Sequence, residues 1–206
     1  RMSNAGLLIG LSDLSQGLGL DVQPYTTGTY TDSTNQDIDS LYQGDVGVDF
    51  IYSVTPQLKA NFTINTDFAE TEVDSRRLNL TRFPLFFSEQ RDFFLDGSTF
   101  FDFSREQGAA SIRPFFSRRI GLTEGQPQRI DFGGKLTGQA GAFDVGFLQV
   151  RTGQTTEQIG EDFTVLRTKR RLFLESYVGG LYTRRASRET GRAEQTAGFD
   201  FQLKTS

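Results

Sequence analysis

Acidic, basic and aromatic side chains are concentrated between residues 78 and 119 of this chain. The run "LNLTRFPLFFSEQRDFFLDGSTFF" (78–101) contains seven phenylalanines together with carboxylates and arginines. A pair of carboxylates can cleave a glycosidic bond, with one acting as the acid and the other as the nucleophile. Here the pair would be Glu89 with either Asp92 or Asp96. The nearby arginines oppose this interpretation, because they lower the pKa that a general acid must keep high.

Two other roles suit the same residues. Guanidinium groups bind carboxylates and aromatic rings pack on sugar faces, which would make the segment a vestibule for sugars or anions. The remaining role is structural: the rings pack together, and ion pairs neutralise charges that are costly to bury alone. The vestibule interpretation selects six candidate binding residues, Arg82, Glu89, Arg91, Asp96, Arg118 and Arg119. We expect the arginines to pair with Glu89, Asp92, Asp96, Asp49 or Asp67.

The composition excludes several classes of function. Among 206 residues there is no cysteine and no histidine, which removes disulfides, thiolate or imidazole metal sites and His-dependent nucleophilic catalysis. A net charge of −4 gives no basic excess for nucleic acid. "GGKLTG" (133–138) lacks the spacing of a phosphate-binding loop. We therefore expect no metal and no cofactor, and any enzyme here would have to work with carboxylates, Lys, Tyr, Ser or Thr; the non-enzymatic role that we expect belongs to the barrel interpretation below.

Period-two alternation predicts β-strands along most of the chain. Val46, Val48, Phe50, Tyr52 and Val54 share one face, and Leu58, Ala60, Phe62 and Ile64 share a face of the next strand, after a Thr55-Pro56 turn. Similar patterns predict strands at 17–31, 130–137, 143–147, from 163, 172–184 and 199–204. The sequence thus predicts about eight or nine antiparallel strands.

The strands are long for a soluble protein. Soluble strands commonly run ~5–6 residues, whereas strands of membrane barrels need about 9–11. The polar faces also carry charges, as a polar lumen allows. The predicted fold class is therefore all-β, an antiparallel up-and-down sheet forming part of a transmembrane outer-membrane β-barrel. A soluble β-sandwich alternates equally well, but its apolar residues would fill the core instead of facing lipid.

One segment interrupts this regular pattern. Residues 69–127 are too long for an ordinary hairpin loop, and Pro84 and Gly97 exclude one uninterrupted helix. We predict a single domain over 1–206, with 69–127 inserted as a plug-like segment inside the barrel or across its mouth. The aromatic rings and arginines would pack against the barrel wall.

The stretch from Asn61 to Ile120 resembles a family of bacterial envelope proteins of unassigned function. Their outer-membrane β-barrel domain often follows a domain similar to family 9 carbohydrate-binding modules. The matching positions are Asp67, Phe68, Glu72, Asn79 to Phe83, Phe86, Phe87, Glu89, Arg91, Phe93, Phe94, Gly97, Phe115 to Gly121 and Lys135 to Gly138. Departures are Ser88 and Asp92 in place of prolines, Gln90 in place of a basic residue and Asp96 in place of glutamate.

The resemblance implies a barrel domain in the outer membrane of a Gram-negative bacterium. Expected partners are outer-membrane lipid or lipopolysaccharide, with a small solute or glycan as the molecule passed or captured. Since the chain opens on Arg1 and stops at "QLKTS", we expect an internal fragment of a longer protein. The alternative is a soluble β-domain of a carbohydrate-active protein that binds or hydrolyses glycans.

Overall fold

The computed structural model describes residues 19–31, 41–66, 89–104, 114–123, 126–156, 158–172 and 176–204. Eight long strands dominate it, and two short strands form a separate pair. In chain order the strands are β1 Leu20–Thr31, β2 Leu41–Thr55, β3 Leu58–Thr66, β4 Leu122–Thr123, β5 Gln126–Pro127, β6 Ile130–Ala140, β7 Phe143–Thr152, β8 Glu161–Arg171, β9 Tyr177–Ser187 and β10 Ala193–Gln202.

The long strands form one antiparallel sheet in the order β1-β2-β3-β6-β7-β8-β9-β10. Each strand pairs with the next long strand along the chain, so the topology is up-and-down. The predicted all-β, antiparallel, up-and-down sheet is confirmed. β1 and β10 are the two edges, and the described strands do not close into a barrel.

The predicted hairpin at 45–65 is confirmed. β2 and β3 pair around a turn at Pro56 and Gln57, with Phe50 opposite Phe62. The strand predicted at 172–184 is confirmed from Tyr177 onward, where β9 begins, but Leu172 lies outside any strand and residues 173–175 lie outside the described residues. The Leu172 amide donates to the Ser176 carbonyl at 2.9 Å, and this bond turns the chain between the two strands.

The sheet has one face that is covered and one that is open. On the covered face, charged and polar side chains such as Asn61, Lys135 and Arg167 are buried. The open face carries most of the large apolar side chains, and these are exposed: Leu20, Val22, Val46, Tyr52, Phe62, Ile64, Phe132, Phe143, Phe147, Leu166, Val178, Phe199 and Phe201. Since successive strand residues point to opposite faces, the alternation in the sequence produces this separation directly.

An inner layer, residues 89–104 and 114–123, lies on the covered face. It contains a one-turn helix, α1 (Asp92–Leu95), and 3₁₀ turns at Ser98–Phe101 and Ser117–Arg119. The core lies between this layer and the sheet, and it consists of Phe93, Phe94, Phe101, Ile120, Ile130, Leu148, Val150, Val165 and Leu181. Within the described residues, no helix is both long enough and apolar enough to cross a membrane.

Candidate functional site

Glu89 and Arg91 form a buried ion pair inside the inner layer. Arg91 Nε donates to Glu89 Oε1 at 2.7 Å and Arg91 Nη2 donates to Glu89 Oε2 at 2.8 Å. The same guanidinium donates to the carbonyls of Ile120 at 2.6 Å and Ser117 at 2.9 Å, and it lies 4.1 Å from the centre of the Phe94 ring. This one side chain therefore joins the two halves of the inner layer.

The environment of Glu89 favours its ionised form. Burial raises the pKa of Glu89, but the hydrogen bonds and positive charge of Arg91 and the hydroxyl of Ser117 outweigh burial, and the pKa is lowered. Ser117 Oγ donates to Glu89 Oε2 at 2.7 Å. A glycosidic general acid needs the opposite, a raised pKa. Glu89 is thus suited to hold Arg91 and unsuited to protonate a leaving group.

Lys135 on β6 binds the end of α1. Its Nζ donates to the carbonyl oxygens of Phe93 and Asp96, which are left without partners where the short helix ends. On the neighbouring strand β3, Asn61 Nδ2 donates to the Asp96 carboxylate at 3.1 Å. Two polar residues of the covered face therefore fix the position of α1.

A second buried ion pair joins the last strands to the inner layer. Arg167 on β8 donates to both carboxylate oxygens of Asp200 on β10, at 2.6 and 2.7 Å, and its side chain is 0% exposed. Arg167 Nε also donates to the Asp102 carbonyl at 3.1 Å. Asp200 accepts from the Ser104 amide at 3.0 Å and from the Tyr177 hydroxyl at 3.1 Å. Every one of these contacts reduces the cost of burying the two charges.

Three phenylalanine rings of the inner layer lie on glycines of the sheet. A Cβ built on Gly133 would be 2.9 Å from the Phe93 ring, one on Gly146 would be 3.1 Å from the Phe101 ring, and one on Gly198 would be 2.8 Å from the Phe103 ring. Such distances leave no room for a side chain. The glycines of β6, β7 and β10 therefore allow these rings to lie close to the sheet backbone.

The structure describes five of the six candidate binding residues, all in the inner layer. Glu89 and Arg91 contact each other, whereas Asp96 contacts β3, so the two carboxylates have different partners. Arg118 is buried at 5% exposure, and the adjacent Arg119 is exposed. Arg82 lies outside the described residues, as does Asp67. Of the expected acidic partners, only Glu89 forms an ion pair with one of these arginines in the described part of the chain.

Sequence reasoning did not select Lys135, Arg167 or Asp200 as site residues. Each occupies a polar position of an alternating strand, so its face was predictable but its partner was not. The signal that could have found them is a charge at mid-strand on a face that the inserted segment covers. No group of three or more acidic side chains within the described ranges is arranged to hold a metal ion.

Two cavities lie against the inner layer. One, of about 420 Å³, is bordered by Phe94, Phe101, Phe103, Phe115, Lys135 and Leu148. The other, of about 480 Å³, lies between the inner layer and strands β8 to β10, with Phe115, Arg119, Phe163, Thr183, Arg185 and Glu194 among its lining residues. Both combine aromatic rings with a few polar groups, which is the usual make-up of a small-molecule site.

Comparison with known proteins gives one family match. The family model described as a domain of unknown function (DUF5916) matches residues 17–137. The matched region runs from β1 through the inner layer into β6. Neither the curated proteins nor the solved structures contain a match to the chain.

Proposed function

We propose that this chain, which belongs to the DUF5916 family of domains of unknown function, forms part of the wall of a non-enzymatic outer-membrane β-barrel. In this proposal residues 69–127 are the plug-like segment of the lumen. The barrel passes or captures a small solute or glycan. Its lipid partners are outer-membrane lipid and lipopolysaccharide.

The observation that carries the proposal is the orientation of the two faces. Phe62 and Ile64, in the middle of the sheet, are 52% and 50% exposed, while Lys135 and Arg167 on the other face are 2% and 0% exposed. In water this arrangement would expose apolar surface and bury charge, which is unfavourable on both counts. In a bilayer the open face contacts hydrocarbon and the covered face lines a polar lumen.

The apolar residues also follow an oblique path across the open face. The paired row that contains Phe50 and Phe62 on β2 and β3 continues as polar residues on later strands, namely Gln149, Thr164 and Arg184. The neighbouring row on the same face, two residues closer to the short turns of these strands, is apolar: it contains Phe147, Leu166 and Tyr182. Barrel strands are tilted, so a level band of lipid contact crosses the rows in this oblique manner.

The open edges point to a barrel of more than eight strands. In lipid the backbone groups of an edge strand need partners, so β1 and β10 must each pair with a further strand or with each other. An eight-stranded barrel has an interior that wall side chains fill. Here a layer of backbone lies over β3, β6, β7, β8 and β10. We therefore infer that further strands fill the gap between β10 and β1.

The binding part of the proposal rests on the two cavities. Aromatic rings with hydroxyl and guanidinium groups nearby can hold a small polar solute against an apolar surface. The resemblance to barrels that follow carbohydrate-binding modules is compatible with a glycan as that solute. The ion pair of Glu89 with Arg91 argues against Glu89 as a glycosidic general acid, because it keeps Glu89 ionised, and it occupies both carboxylate oxygens.

Fractionation of the full-length protein tests the proposal. We expect recovery in the outer membrane and a change of gel mobility on boiling, since folded barrels resist detergent at low temperature. Recovery in the soluble fraction without a mobility change would refute the barrel. In that case the soluble glycan-binding or glycoside-hydrolysing domain becomes the better model, and glycan arrays would be the next measurement.

A further inference from the structure

The connections at the two ends of the sheet differ greatly in length. At one end, called here the turn end, the strands are joined by residues 56–57, 141–142 and 172–176. At the opposite end, the loop end, the connections are residues 32–40, 67–129, 153–160 and 188–192. The same end of the sheet thus has all three connections of eight residues or more.

The inner layer belongs to the loop end. The chain leaves β3 at Thr66 and returns to β6 at Ile130, and these two residues are paired at the loop end of their strands. The cavity of about 480 Å³ lies on the same side, because Phe163, Arg185 and Glu194 are each within three residues of the loop end of β8, β9 and β10. Arg119 of the inner layer faces this cavity.

We propose that the loop end faces the outside of the cell and the turn end faces the periplasm. The inference rests on the proposed outer-membrane barrel. In such barrels the periplasmic connections are short turns and the external ones are longer loops. The sheet follows that pattern, because its two-residue turns lie at one end and all three connections of eight residues or more lie at the other, while one five-residue connection lies at each end.

This orientation defines two interaction surfaces. The loop end, with the cavity and Arg119, meets solutes of the external medium and the lipopolysaccharide leaflet. The turn end, including Gln57 and Ala142, is exposed to the periplasm. The inner layer then descends into the lumen from the external mouth, and a solute captured in the cavity comes from outside the cell.

Cysteine accessibility in the full-length protein tests the orientation. The chain contains no cysteine, and any cysteine elsewhere in the protein is first replaced by serine. Single variants place a thiol at exposed positions of the loop end, Gln154→Cys and Glu189→Cys, and of the turn end, Gln57→Cys and Ala142→Cys. The probe is a polyethylene-glycol maleimide too large to pass through porins. Labelling appears as an upward shift on a gel.

We expect both loop-end variants to be labelled on intact cells. Both turn-end variants should remain unlabelled on intact cells and should be labelled only after the outer membrane is permeabilised. The reverse pattern, or labelling of all four variants on intact cells, would overturn the orientation. If one variant lacks heat-dependent mobility and so has not folded, the other variant at the same end decides the result for that end. Recovery of the protein in the soluble fraction would overturn the barrel itself, and the inference with it.

Discussion

Side chains that suggested catalysis serve as cross-links in the inner layer. Glu89 binds Arg91 through two oxygens, and Arg91 then binds the carbonyls of Ser117 and Ile120. Both side chains are nearly buried, at 10% and 6% exposure. A buried carboxylate with this many donors gains more from holding its charge than from releasing it. The residue types that bind a substrate are here used to bind the chain to itself.

Replacing Glu89 by glutamine should destabilise the protein by about 3–5 kcal/mol at neutral pH, because Arg91 is left buried without its counter-ion. The pKa of Glu89 is lowered below its ordinary value of 4.5. The stabilisation from the ionised carboxylate is therefore complete above pH 4.5 and is lost as pH falls through the folded value. Urea unfolding of the full-length protein in detergent micelles, from neutral to acidic pH, measures this difference.

The control for this variant is Asp92→Asn, which changes an exposed carboxylate in the adjacent helix. We expect its stability to match the unchanged protein within about 0.5 kcal/mol at each pH. A Glu89→Gln effect that stays constant through the acidic range would contradict the ionised pair. If the protein turns over any glycan, Glu89→Gln and Asp96→Asn should leave the activity per folded molecule unaffected.

The pair of Arg167 and Asp200 gives a test by double substitution. Arg167→Met and Asp200→Leu should each cost about 3–5 kcal/mol, since each leaves one buried charge alone. The double variant should be more stable than the sum of the single effects predicts, because neither charge remains. Unfolding of the three variants in micelles provides the comparison. Strict additivity would show that the two side chains do not act as a pair.

The sequence predicted that charges of the inserted segment would pair, but the partners could be inferred for only one pair, Glu89 with Arg91. Arg91 and Glu89 are two residues apart, so proximity along the chain brings them together. Arg167 and Asp200 meet because β8 and β10 both pair with β9, and Lys135 meets Asp96 through folding of the insertion. Partners of this kind depend on register and on the path of a long connection. Neither is encoded in local spacing.

At the scale of elements, contact between the inner layer and the sheet depends on glycine. Gly133 and Gly134 are neighbours on β6 that point to opposite faces. Gly133 lies beneath the Phe93 ring, whereas a Cβ on Gly134 would make an ordinary contact of 3.5 Å with Phe62 on the open face. A side chain at position 133 would therefore clash, whereas one at position 134 would fit, and the two positions can be compared directly.

Gly133→Ala should displace Phe93 and α1, at a cost of about 1–3 kcal/mol for overpacking. Gly134→Ala should leave stability unchanged or slightly raise it, because alanine is less flexible in the unfolded chain. Limited proteolysis of the inner layer, together with urea unfolding, measures both effects. Equal behaviour of the two variants would mean that the ring does not rest on Gly133.

Alternation predicted the strands well wherever a turn was marked by residue type. The Thr55-Pro56 turn separated β2 from β3, and those strands lie where they were expected. Between β8 and β9 the sequence "RLFLES" contains no glycine, proline or asparagine to mark a turn, and the predicted strand was consequently begun at Leu172 instead of Tyr177. Alternation reports which residues share a face. It does not report where the chain reverses when the turn lacks glycine, proline or asparagine.

For the whole molecule, the decisive prediction concerns the open face. Phe62→Arg should prevent membrane assembly, because a charge at the depth of the bilayer midplane costs about 2–4 kcal/mol. Phe62→Leu, which keeps the position apolar, should assemble normally. Outer-membrane recovery and heat-dependent mobility of the two variants are the measurements. Normal assembly of Phe62→Arg would count against a lipid-facing position at the centre of the open face.

The contacts of the inner layer also determine when it can settle during synthesis. Asp102 and Ser104 are held by Arg167 and Asp200, which follow them by 65 and 96 residues. Residues 102 and 104 therefore cannot be fixed in place until β8 and β10 have joined the sheet. Forming such distant contacts is slow, because a long loop must close first. The inner layer near Ser104 is thus fixed only when β10, the last strand of the sheet, has paired with β9.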